Sequence, residues 1–137
     1  MSARHGPTAL AAVALDAAAI LVFALAGRRE HEGATTVANV LGVAAPFLLG
    51  GAAGWVVARA FGRAPASWST ALIVWSATLV VGMLARRFAW DRGTAPSFVV
   101  VAALVLGLSM FGWRGISVLV ARRQQIRSSA PPSKADR

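Results

Sequence analysis

"ALAAVALDAAAILVFALA", residues 9–26, is apolar at every position except Asp16. A bilayer core is crossed by about 20 such residues in a helix. The stretch therefore reads as a membrane span with an acid about seven residues inside it. At 1.5 Å per residue, that places the carboxyl group roughly 10 Å below the start of the helix. A charged group at the centre of a span costs about 2.5–3.5 kcal/mol on insertion scales, so Asp16 calls for a partner.

Three further runs qualify as spans, at 37–58, 68–85 and 95–121, the last only if Arg114 is tolerated within it. Backbone groups in lipid must bond within their own segment, so each run is a helix. The connections "GRREHEGATT", "RAFGRAPAS" and "RRFAWDRGT" are short and rich in polar or helix-stopping residues. Short connections make neighbours antiparallel. The expected fold is all-α: a polytopic up-down bundle of four transmembrane helices over 9–121. An N-terminal segment, 1–8, precedes it, and a disordered basic tail, 122–137, follows it. Thr35 or Thr36 is placed to cap the second helix, and Thr94 the fourth, with Pro96 in its first turn. Pro46 falls inside the second helix, where it is expected to kink it. Trp55, Trp68, Trp90 and Trp113 lie near span ends, as interfacial aromatics do, and Trp75 lies deeper.

Composition agrees. Hydrophobic residues make up 57% of the 137 and charged residues only 14%, against about 25% charged in soluble domains. The net charge of +9 does not point to nucleic acid, because the arginines sit at the ends of apolar runs rather than on one basic face. There they meet the bilayer and its anionic headgroups, the partners expected. The first and third loops hold Arg28, Arg29, Arg86, Arg87 and Arg92; the amino terminus, second loop and tail hold Arg4, Arg59, Arg63, Arg122, Arg123 and Arg127. That bias places both termini of a multi-pass plasma-membrane protein in the cytoplasm. Arg4 before an apolar run and "ALAG" at 24–27 also resemble a cleavable signal, but the run is long for one and Asp16 interrupts it.

Depth suggests what holds Asp16. If the fourth helix continues to Ala121, Arg114 lies at similar depth from the same membrane face. Its planar fork can donate two bonds to one carboxylate. Small residues surround both groups at helical spacing: Ala9, Ala12 and Ala19 near Asp16, Ala103 and Gly107 near Arg114. These let helices approach closely. An ion pair of Asp16 with Arg114 is one reading. The other has Arg114 extending to the interface and Asp16 meeting water or hydroxyl groups.

Further candidates are Gly50, Gly54 and Gly107 as helix-packing positions, the first two spaced as Gly-x-x-x-Gly. Arg28, His31, Arg86 and Asp91 could form a polar cluster on the outer face. With no cysteine and two histidines, neither a metal site nor a cofactor is expected. No catalytic residue is assigned: nothing near the histidines supplies a nucleophile.

Asp16, Phe23, "GRREH" at 27–31, "APF" at 45–47, Trp75, Gly82 with Arg86, "SFVVVA" at 97–102 and "GWR" at 112–114 recur in this order and spacing in the domain-of-unknown-function 3054 family. The chain resembles that family from about Asp16 to Arg123. The resemblance implies a small prokaryotic integral membrane protein of four helices, singles out Asp16, Arg28, His31 and Arg114, and names no reaction. Two functions remain open on this footing. One is a small transporter or channel component in which Asp16 binds a proton or cation. The other is a structural or accessory subunit of a larger membrane assembly or homo-oligomer. A membrane enzyme would need the outer cluster to converge.

Overall fold

A computed structural model describes residues 7–27 and 36–129. The described residues form four helices: α1 Ala9–Ala26, α2 Val37–Ala60, α3 Trp68–Phe88 and α4 Pro96–Ser128. All four are long and apolar enough to cross a membrane. The chain is a multi-pass, all-α membrane protein, and its surface shows why. Leu10, Val22, Leu49, Val56, Leu72, Val80, Leu104, Leu108 and Ile116 all point outward. A helix that is apolar all round belongs in a hydrocarbon solvent.

The helices close into a ring. α1 packs on α2 and α4, α3 packs on α2 and α4, and the backbones of the diagonal partners stay apart. The closest approach is between α2 and α3, and glycine permits it. A Cβ on Gly50 would lie 2.8 Å from the carbonyl oxygen of Ala77, and one on Gly54 would lie 2.7 Å from the Cα of Val74. Gly107 faces the indole of Trp75, which donates to the Ala103 carbonyl at 3.0 Å and ties α3 to α4. In lipid, close backbone packing and such bonds replace the hydrophobic drive between helices.

Local chemistry sets the ends. Thr8 accepts from the amide of Ala11 and Ser67 from that of Thr70, so α1 and α3 begin with side-chain caps. Thr36 occupies the cap position of α2 without a side-chain bond, and Ala95, not Thr94, precedes α4. Proline explains the second case: Pro96 is already suited to the first helical position and needs no donor satisfied there. α2 ends in a Schellman turn. Gly62 takes φ +61°, its amide bonds to Arg59 O, and the Arg63 amide bonds to Ala58 O. That turn aims the Ala64–Pro65 segment back over the bundle.

The C-terminal ends of the last three helices differ from those read in the sequence, α2 running two residues further to Ala60. α3 continues to Phe88, and α4 continues through the charged stretch to Ser128, where a disordered tail was expected from 122. Loss of apolar period marks the end of lipid burial, not the end of a helix. Arg and Gln are good helix formers, and extending a helix needs no new nucleus. As the sequence indicated, Pro46 lies inside α2 and Pro96 opens α4.

Candidate functional site

At the end of the bundle where α1 and α3 begin, four segments converge on Asp16. α1 supplies its carboxylate, 2% exposed, and α4 supplies Arg114, fully buried. Arg114 Nη1 donates to Oδ1 at 2.9 Å, and Nη2 donates to Oδ2 at 2.8 Å. This is the parallel two-bond geometry in which guanidinium and carboxylate bind most strongly. The Trp113 indole donates to Oδ1 at 2.8 Å and the Trp55 indole to Oδ2 at 3.1 Å. Both oxygens therefore accept two bonds each, which fills the lone pairs of an ionised carboxylate.

Arg114 is bound as fully. Nη1 also donates to the Met110 carbonyl one turn back. Nε donates to Pro65 O at 3.3 Å, the carbonyl that the Schellman turn presents. The guanidinium carbon lies 4.3 Å from the Trp113 ring centroid and 6.0 Å from that of Trp55, within range of cation–π attraction. Removing two charges from water costs several kcal/mol each, and is offset only when geometry and remaining hydrogen bonds are nearly complete. Here both conditions hold.

Trp55 and Trp113 are the residues that sequence reasoning placed elsewhere, at the interface. The structure turns their N–H groups inward. Trp55 lies five residues from the end of α2, about 8 Å at the helical rise, close to the depth of Asp16. The depth match that pointed to Arg114 also applies to an indole donor.

The opposite end is different. Phe23, Phe47 and Phe98 meet with ring centroids 5.4–6.1 Å apart and fill the middle of the ring. A Cβ on Gly82 would come within 2.7 Å of Phe47, so α3 contributes space where the other helices contribute rings. Arg86 lies over Phe98, 4.4 Å from guanidinium carbon to centroid, and its Nε donates to Gly93 O at 3.1 Å. Asp91 does not join it. Asp91 is almost fully exposed and lies 3.7 Å from Arg87 one helical turn before it. The expected outer cluster is thus divided among the described residues: Arg86 turns inward, Asp91 turns to solvent. Arg28 and His31 lie outside the described residues.

On the lipid-facing side, Leu21, Val22 and Leu25 of α1 and Val37, Val40 and Leu41 of α2 line an apolar groove of about 400 Å³. It lies at the phenylalanine end, where Leu21, Val22 and Leu25 flank Phe23.

No curated protein and no solved structure matches the chain. Residues 13–117 match the family described as "Protein of unknown function (DUF3054)". The matched span contains the ion pair, both indole donors, the phenylalanine cluster and Arg86. With four membrane-crossing helices closed by that pair, the chain belongs to the DUF3054 family.

Proposed function

We propose that this protein is a structural or accessory subunit of a plasma-membrane assembly, in which Asp16 fastens the bundle and does not carry cargo. One observation supports this above the others: every acceptor position of Asp16 is filled by a protein donor, two of them from Arg114. A carboxylate that loads a proton or cation must exchange that partner for its ligand. Asp16 would have to give up a two-pronged guanidinium and two indoles together. The apolar groove between α1 and α2 supports the same reading, since it offers a neighbouring transmembrane helix a place for its side chains. Both termini face the cytoplasm in this proposal, and the arginines at helix ends meet anionic headgroups.

Proteoliposomes and crosslinking test it together. Wild-type protein and Asp16→Asn should show the same proton and cation flux as empty vesicles. A photo-crosslinker in place of Leu21 or Leu41, expressed in the native membrane, should capture one defined polypeptide or a second copy of the chain. Flux in the wild type that disappears in a folded Asp16→Asn protein would overturn the proposal in favour of transport.

A further inference from the structure

Arg86 and Arg114 are built alike. Each projects from a helix toward a neighbouring loop, and each donates its Nε to a loop carbonyl, Gly93 O for Arg86 and Pro65 O for Arg114. Each lays its guanidinium over an aromatic ring at nearly the same distance, 4.4 Å and 4.3 Å. They differ in what the fork meets. Arg114 grips Asp16. Arg86 Nη1 is buried and has no hydrogen-bond partner among the described residues. A buried charged donor left unsatisfied is expensive, and a native structure that carries one calls for an explanation.

Around that fork the described groups are positive or neutral. Arg92, whose backbone amide bonds to Arg86 O at 3.0 Å, brings a second guanidinium to this end of the bundle. The Arg92 terminus reaches α2 beside Gly42. The one described acid on this loop, Asp91, is directed to Arg87. The helices that start at this end, α2 and α4, carry no side-chain bond at their caps, unlike α1 and α3 at the other end. Their first amides are free to donate at that face, beside the last carbonyls of α1 and α3, which end there.

We propose that Arg86 and Arg92 form a binding site for a phosphate-type oxyanion at the phenylalanine end of the bundle, the anion taking at Arg86 the place that Asp16 takes at Arg114. Tetrahedral oxyanions offer the paired acceptors that a guanidinium fork matches. Inorganic phosphate and the phosphodiester of an anionic lipid share this chemistry, and the site lies at the membrane surface where either is available. The inference is independent of the role assigned to Asp16, which lies at the other end.

The full chain in a neutral, phosphate-free detergent is the sample. Inorganic phosphate is titrated at matched ionic strength and followed by phosphorus NMR line broadening. In a second arm, phosphatidylglycerol retained by the protein is measured by native mass spectrometry against phosphatidylcholine. Binding of phosphate identifies a free oxyanion as sufficient; retention of phosphatidylglycerol alone identifies the lipid headgroup. Either supports the proposal if Arg86→Gln and Arg92→Gln each weaken it by about 10- to 100-fold while Arg127→Gln, at the far end of α4, does not. Arg92→Gln leaves the loop's backbone bonds in place, so its loss of binding is separable from a folding defect in Arg86→Gln. No binding in either arm would overturn the proposal, as would undiminished binding by Arg92→Gln and Arg86→Gln. So would binding that emerges only in Glu30→Gln/Glu32→Gln, since the chain's own acids would then be the occupant.

Discussion

Asp16 is stable in hydrocarbon because it never meets hydrocarbon: four donors from two helices, α2 and α4, surround it. Removing its charge should therefore harm the protein chiefly through Arg114, which would keep a buried charge without its counter-ion. Asp16→Asn is expected to lower unfolding stability in mild detergent by about 3–5 kcal/mol, the usual result of breaking a buried pair from one side. Arg114→Gln alone should cost a similar amount. The double substitution should cost clearly less than the two summed, and a double-mutant cycle reads the coupling directly. Additive losses would mean that the two groups do not depend on one another. The indoles make smaller contributions. Trp55→Phe keeps most of the ring and removes one donor to a charged acceptor, for a loss of about 1.5–3 kcal/mol, measurable by the same unfolding titration.

Among the elements, α2 and α3 form the tightest pair, and the cause is absence of side chain. Gly54→Ala places a methyl group against the backbone of Val74, which cannot move aside as a flexible side chain would. Overpacking of this kind costs about 1–3 kcal/mol, and Gly54→Ala should lower the midpoint of thermal unfolding while Gly93→Ala, in open space, should leave it unchanged. The spans themselves were legible, because uninterrupted hydropathy is the strongest signal a membrane protein carries. Asp16 and Arg114 could be paired on paper because charge is rare in these runs and depth can be counted along a helix. Trp55 and Trp113 could not be assigned the same way. An indole near a helix end satisfies the sequence signal for an interfacial anchor and for an inward donor alike, and rotation about the helix axis separates the two. The charged end of α4 was misread for a related reason: apolar periodicity reports what a helix touches, and α4 from Arg122 onward is exposed.

For the whole molecule, the ring closes only when α4 returns beside α1, so the topology must be up-down-up-down. The chain has no cysteine, so single introduced thiols report their side without background. Ala66→Cys in the α2–α3 loop and Ser129→Cys after α4 should react with an impermeant maleimide from one side of sealed vesicles. Gly93→Cys in the α3–α4 loop should react from the other. Labelling of all three from one side would exclude the bundle. The same experiment on oriented native membranes assigns that side to the cytoplasm or not.

The two halves of the central ion pair are 98 residues apart in the chain, which gives biosynthesis a waiting period. At ribosomal rates of about 5–20 residues per second, the acid emerges roughly 5–20 s before its guanidinium. During that interval the first span has a poor claim on the bilayer, and the insertion machinery has to shelter it or hold it near the channel. A nascent chain cut short before Met110 should therefore be extracted and degraded faster than one cut after Ser117, although the two differ by less than a third of a span. A pulse-chase comparison of those truncations shows whether the last helix licenses the first.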